Sequence, residues 1–242
     1  MPAAALGYSF KIIRPLVLAL SLILFGVGGL ASGGEVMPPG ASPQGYSLAD
    51  MARKLALFDT SNNASQTYPD TPFAILFQDA AKESLTITTC PDTKSGLLLL
   101  GGNTFAVPTG KPFFVPLFSA DDSAPVVGNF PAQEAGAIGY FFGASQLGAR
   151  DFEIIVDGQI TAVGPAYIAG PVQVAALGDG NGTHLIQLGL FLTPFSPGTH
   201  TITIRGQLAG AAILPAAGIS CLQEDFTYVV KVTPARGSDE LP

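Results

Sequence analysis

The chain contains no tryptophan, and of its 242 residues only two are histidine, two are cysteine and 12% are charged. The lack of tryptophan removes the usual indole platform for stacking sugars, although six tyrosines and 16 phenylalanines offer other aromatic rings. A Ser/His/Asp triad needs a histidine within reach of a serine and a carboxylate, and only His184 and His200 are present. The nucleophile-elbow motif Gly-x-Ser-x-Gly is also missing. The sequence therefore favours no known nucleophilic catalysis.

Basic side chains are scarce as well. The chain has 11 Lys and Arg against 18 Asp and Glu, a formal net charge of −7. Nucleic-acid binding requires a basic surface, so this composition excludes it. Stable association with an anionic membrane surface is disfavoured for the same reason.

The first 33 residues have the pattern of a secretory signal peptide. Lys11 and Arg14 precede an apolar run at 15–30, and small residues follow it. We expect cleavage between Ala31 and Gly34, which would leave nine basic and 18 acidic residues, because the leader contains two basic and no acidic ones. The alternative is an uncleaved membrane anchor, but the run is short for a span and contains glycines. The prediction is a secreted or periplasmic protein.

Cys90 and Cys221 are the only cysteines in the chain. An oxidising compartment favours a disulfide between them, and two buried free thiols are the alternative. Closing a loop of this length would stabilise the fold by up to about 5 kcal/mol in the chain-entropy model.

The remaining pattern predicts one domain at 46–234, preceded by a Pro/Gly-rich segment at 34–45 and followed by a disordered tail at 235–242. Ser47 and Asp50 resemble a capping box, and helical spacing of apolar residues predicts one amphipathic helix at about 48–58. After it, 29 glycines and 20 prolines break the chain into short strands rich in β-branched and aromatic residues. The predicted fold class is an all-β antiparallel β-sandwich, immunoglobulin-like or jelly-roll, with one short N-terminal helix and long loops.

Eight segments are expected to form strands, and a long loop containing a short helix near 144–147 is expected at 121–150. Phe226, Tyr228, Val230 and Val232 should share one face of the last strand. Pro116 should lie at an edge or a bulge because it cannot donate to a sheet. The segments are 73–79, 84–89, 103–108, 112–118, 151–158, 183–193, 200–208 and 225–234.

The stretch LTPFSPGTHTITIRG at 192–206 indicates a hairpin. If Thr193 pairs with Thr199, then Leu192 faces His200 and every apolar side chain of both strands lies on one face. His200 would then point to the mouth of the core, with Ile202 deeper on the same face. We expect a structural histidine that hydrogen-bonds a turn carbonyl.

No metal or cofactor site is predicted. In the same register His184 lies about 26 Å from His200, too far for the two to share a zinc ion. Asp179 and Asn181 alternate like the start of a calcium loop, but Leu190 stands where a bidentate glutamate is needed. A turn joining two strands explains this segment better.

Four segments together resemble a family of uncharacterised exported bacterial proteins. The similar pattern is a Gly-Lys-x-x-Phe-x-Pro strand pair, an Asp-Gly turn and a Pro-Gly-x-His-x-Ile hairpin before a last strand, over about 104–233. The residues that fall on it are Lys111, Pro116, Asp157, Gly158, Pro197, Gly198 and His200. The resemblance implies export and a β-sandwich, and it implies no activity.

The sequence leaves two main functions open, and a third alternative is a subunit that offers its apolar surface to a partner. The first is a non-catalytic binding or cell-envelope protein with a glycan or protein partner and no catalytic residue. The second is an extracellular carbohydrate-active hydrolase or lyase that uses the loop carboxylates Asp121, Asp122, Glu134 and Asp151. Nothing in the sequence links Asp121 or Asp122 to the turn at 178–184.

Overall fold

The structure, a computed structural model, describes residues 33–61, 68–79, 82–91, 94–178 and 181–234. All of these belong to one compact unit, Ala31–Pro242. The expected leader, except Gly33, and the expected tail at 235–242 lie outside the described residues. A search of the described part finds no helix long and apolar enough to cross a membrane.

Helix α1 spans Leu48–Thr60, two residues longer than predicted. Ser47 and Asp50 form the expected capping box, because each side chain accepts a hydrogen bond from the backbone N–H of the other residue. Met51 and Leu55 are fully buried on one face. The capping residues and the apolar spacing therefore determine this helix locally.

Strand residues greatly outnumber helical residues in the rest of the described chain, so the all-β class is confirmed. The strands are β1 (Ala74–Ile75), β2 (Ser84–Thr89), β3 (Ser95–Gly101), β4 (Thr104–Pro108), β5 (Phe113–Asp121), β6 (Ala149–Val156), β7 (Gln159–Ala162), β8 (Ile168–Gln173), β9 (His184–Leu192), β10 (Gly198–Leu208) and β11 (Leu222–Thr233). The short helices α2 (Ala137–Phe142) and α3 (Ile213–Ala217) lie between strands.

The strands form two sheets. One has the order β1-β5-β9-β8, and the other has the order β2-β3-β11-β10-β6-β7 with β4 also paired to β11. β3 and β4 run parallel to successive halves of β11. Gly102 lies between them, and a Cβ there would come within 2.0 Å of the Thr227 carbonyl oxygen. Glycine is therefore required where the chain passes from β3 to β4.

Every predicted strand segment contains a strand, although the segment at 73–79 contains only the two residues of β1. Pro116 lies at a bulge in the β5–β9 pairing, as expected. β3, β7 and β8 are absent from the prediction. β3 is a run of leucines, which are not β-branched, and β7 is only four residues long. β8 contains a Gly-Pro pair that resembles a loop.

The predicted hairpin at 192–206 is wrong. β9 pairs with β5 and β8 in one sheet, and β10 pairs with β6 and β11 in the other. The link between β9 and β10 therefore carries the chain from sheet to sheet, and His200 is opposite Val230 instead of Leu192. Leu188 and Leu190 of β9 point into the same interior as Ile202 and Ile204 of β10, and this inward pattern is the same for a hairpin and for a sheet crossing. Leu185 and Phe191 of β9 are buried on its other face, against α1, so the expectation that every apolar side chain of both strands lies on one face is wrong.

Two hydrophobic clusters form the core. The larger contains buried residues of both sheets, among them Leu188 and Leu190 from β9 and Ile202 and Ile204 from β10. The smaller packs α1 against Phe114 and other residues of the four-stranded sheet. β5 contributes to both clusters, as expected for a strand with two apolar faces.

The link at 122–148 contains α2 at Ala137–Phe142, so the helix predicted near 144–147 is wrong. Residues 144–147 form turns, and Gly143 ends α2 just before them. Tyr140 and Phe141 are buried in the larger cluster. Aromatic packing against the core therefore places this helix.

Cys90 and Cys221 are joined by a disulfide, the pairing that the sequence predicts. Their Cα atoms are 5.9 Å apart across a sequence separation of 131 residues. Gly96 packs against the bond, and a Cβ there would lie 2.4 Å from the Cys221 Sγ atom. The bond ties the end of β2 to the start of β11.

The segment before the helix crosses the link between β9 and β10. Glu35 and Thr193 exchange hydrogen bonds, and the Met37 N–H donates to the Phe191 carbonyl oxygen. Gly34 has a φ of +74°, and a Cβ there would lie 2.0 Å from the Phe195 ring. Gly34 is one of the small residues expected for leader cleavage, and the packing of Phe195 also requires a small residue at this position.

Candidate functional site

His200 is the structural histidine that the sequence predicts. It is 7% exposed, and its Nε2 lies 2.9 Å from the Ser196 carbonyl oxygen. Its Nδ1 lies 2.7 Å from Asp157 Oδ2, a partner that the sequence did not indicate. Asp157 Oδ1 accepts from the Thr201 N–H, so the imidazole links the Asp157-Gly158 turn to β10 and to the sheet crossing. The carbonyl on Nε2 occupies the position that a nucleophilic hydroxyl would need.

His184 is held by Asp122. The Asp122 Oδ2 atom is 2.8 Å from His184 Nδ1, and Oδ1 accepts from the backbone N–H groups of Thr183 and His184. Burial by itself would raise the pKa of Asp122, but these hydrogen bonds and the histidine lower it. Asp122 is therefore linked to the end of the turn before β9, contrary to the sequence-based expectation.

No group of three metal-ligating side chains occurs within the residues that the structure describes. Asp179, the first ligand position of the calcium-like loop, lies outside them. Asn181 belongs to the turn that joins β8 to β9, and those strands are paired antiparallel. The antiparallel pairing of β8 with β9 fits the connecting-turn interpretation of this segment.

The structure does not gather the loop carboxylates around one cavity. Asp121 accepts from the Ser123 N–H at the end of β5, and Asp122 binds His184. Glu134 is exposed in a 3-10 turn at Glu134–Gly136, and Asp151 is exposed in β6 with a φ of +56°. The predicted catalytic loop is therefore wrong as a single site.

A different set of acids lines a cavity of about 320 Å³, which we call the acidic cavity. Its ionisable lining residues are Asp59, Glu83, Glu224 and Tyr228. Asp59 is next to last in α1, Glu83 precedes β2, and the other two lie on β11. Phe77, Phe118 and Leu117 provide apolar parts of the wall.

Alternation along β11 directs Glu224 inward. Glu224 has the same parity as Phe226, Tyr228, Val230 and Val232, which are buried as predicted. It is 6% exposed, and its Oε1 atom has no hydrogen-bond partner. A buried acid on an otherwise apolar strand face is the sequence signal that could have identified this site.

Asp59 reaches the cavity from the C-terminal end of α1, where the helix dipole disfavours a negative charge. Its Oδ2 atom accepts from the side-chain amide of Gln187 at 2.8 Å. Gln187 is 1% exposed, and its own Oε1 atom has no partner. Buried polar groups are normally hydrogen-bonded. The two Oε1 atoms without partners, of Glu224 on β11 and of Gln187 on β9, are therefore unusual.

Burial raises the pKa of Asp59 to about 7, and the Gln187 amide partly opposes this. Burial and the charge of Glu83 raise the pKa of Glu224 well above its usual range. Burial and the three carboxyl groups also raise the pKa of Tyr228. The Glu83 carboxyl group is therefore close enough to Glu224 to interact with it, and the cavity retains protons near neutral pH.

Comparison with known proteins gives no relative for this chain: no family model, no curated protein and no solved structure matches it.

Proposed function

We propose that this is an exported, non-catalytic binding protein whose ligand site is the acidic cavity. Export rests on the leader pattern of residues 1–33 and fits the disulfide between Cys90 and Cys221. A β-sandwich architecture, of immunoglobulin or jelly-roll type, is part of the proposal and is supported by a core cluster that draws on both sheets. The proposal also includes membership of the exported bacterial family described in the sequence analysis.

One observation carries the assignment of the site: a buried glutamate faces a cavity with an oxygen atom that has no partner. Removing a carboxyl group from water without hydrogen bonds costs free energy, and the cost is greatest when the group is charged. Glu224 Oε1 is in that position. A ligand that donates hydrogen bonds to it would remove this cost on binding.

The charges indicate the class of ligand. Three carboxyl groups line the cavity, and the ionisable lining residues include no base. Its volume lies at the small end of the range of about 300–1,000 Å³ that small-molecule sites occupy. We expect a small polar ligand that carries a protonated amine or several hydroxyl groups.

The test is titration calorimetry against a panel of small amines and sugars at pH 7. A bound ammonium group favours the ionised form of Glu224. Glu224→Gln keeps nearly the same shape but cannot ionise, and we expect it to weaken binding of an amine by at least about tenfold, the loss typical of a charge-assisted hydrogen bond. Glu134→Gln makes the same change at an exposed position outside the cavity and should bind like the wild type. Equal loss in both variants, or none in either, would contradict the assignment.

A second function is favoured by one specific observation, the pKa of about 7 at Asp59 close to Glu224. A carboxyl group that stays protonated at neutral pH can act as a general acid in glycoside cleavage, with a second carboxyl group as base or nucleophile. Release of reducing sugar from glycans by the wild type, but by neither Asp59→Asn nor Glu224→Gln, would establish the hydrolase. Binding of the same glycans without cleavage would support the binding protein.

A further inference from the structure

A second cavity of about 470 Å³ lies beside the C-terminal end of β5. It shares only Phe118 and Ser119 with the acidic cavity. Its wall is mainly aliphatic and comes from both sheets, from the link at 122–148 and from the region of α3. The main contributors are Leu97, Val127, Leu147, Leu208, Ile213 and Leu222.

The volume is large for a packing defect. Protein interiors are packed like organic crystals and contain few voids larger than a water molecule. An apolar cavity of about 150 Å³ is enough to bind benzene, so this one is about three times larger than a benzene site. In proportion it would hold a molecule of about 15 to 20 non-hydrogen atoms.

Three of the segments that form the cavity wall also carry an exposed aliphatic side chain. Val126 is 41% exposed, Ile138 is 50% exposed and Leu214 is 53% exposed. Each is one or two residues from a residue of the cavity wall, namely Val127, Tyr140 or Ile213. Apolar side chains are therefore exposed to water in the same segments that form the aliphatic wall.

We propose that this cavity binds an uncharged, mainly apolar small molecule. The aliphatic wall provides the binding free energy. Asp121 is itself part of this wall, and burial together with the charge of Asp121 raises the pKa of Tyr140 to about 12. An anionic head group inside the cavity is therefore disfavoured. This proposal does not depend on the function proposed for the acidic cavity.

The test uses N-phenyl-1-naphthylamine, an uncharged aromatic probe that fluoresces in apolar surroundings. We expect saturable binding with one probe per protein. Ala120→Phe places a ring in the cavity and should weaken binding at least about tenfold, since the probe and the new ring compete for one volume. Ala162→Phe is the matched control because it adds the same ring at an exposed position of β7.

Val127→Phe fills the cavity from a different segment, and circular dichroism shows whether each variant is folded. NMR contacts between the probe and the methyl groups of Leu147 or Ile213 locate it without any substitution. Absence of saturable binding to the wild type would overturn the proposal. Unchanged binding in folded Ala120→Phe and Val127→Phe would overturn it too. Glu224→Gln should retain probe binding, so this result is separable from the amine titration.

Discussion

Replacing Asp59 with asparagine should make the protein more stable at neutral and alkaline pH. Asp59 loses hydration on folding, and burial raises its pKa from 3.8 to about 7. Asparagine has nearly the same shape and keeps an oxygen that can accept from the Gln187 amide, as Asp59 does. The substitution therefore removes the ionisable carboxyl group and keeps the hydrogen bond from the Gln187 amide.

The magnitude follows from proton linkage. Between pH 3.8 and about 7 the folded wild type holds a proton that the unfolded chain has released, so the free energy of unfolding falls as pH rises through this range. The full change corresponds to about 4 kcal/mol, an upper value because Asp59 keeps part of its exposure to solvent. Asp59→Asn should match the wild type near pH 4 and exceed it by up to that amount at pH 8.

The assay is urea unfolding followed by circular dichroism from pH 4 to pH 8, with the disulfide intact. Asp70→Asn removes the same charge at an exposed position and should leave the pH dependence of the wild type unchanged. The reasoning is refuted if the stability difference between Asp59→Asn and the wild type is the same at pH 5 and pH 8.

Three other perturbations test the fold. Replacing Cys90 and Cys221 with serine should lower the free energy of unfolding by about 2–5 kcal/mol, measured by urea unfolding, because the bond closes a long loop. Gly34→Ala should cost about 1–3 kcal/mol through overlap with a phenylalanine ring, whereas Gly45→Ala, also at positive φ but with no atom within 4 Å, should cost less. An equal loss in thermal unfolding would show that backbone conformation alone is responsible. His200→Ala should lower the melting temperature and leave amine binding in the acidic cavity intact, since its partners lie elsewhere; loss of binding at unchanged stability would contradict this.

Features that depend on neighbours in sequence were predicted well. The capping box at Ser47 and Asp50 locates α1, and the alternation at 226–232 identifies the buried face of β11. The bulge at Pro116 follows from its missing N–H. In each case the residues that determine the structure lie within one element, so local pattern contains the information.

The site was missed for a physical reason. Asp59, Glu83 and Glu224 come from α1, from the segment before β2 and from β11, and no spacing relates them. The four loop carboxylates are closer in sequence, yet the structure distributes them over different surroundings. Only Glu224 could have been recognised from the local sequence, because it falls on the same face of β11 as the buried residues Phe226 and Tyr228.

By itself, the sequence determined the all-β class, the helix at Leu48–Thr60 and which side chains of β10 face inward. Only the tertiary structure decided that β9 and β10 belong to different sheets, which acids meet in a cavity and what His200 binds. Alternation of apolar and polar residues records burial, and burial is the same whether the next strand pairs beside its neighbour or crosses to the opposite sheet. Strand partners and cavities depend on contacts between residues far apart in the chain, and a local pattern does not record them.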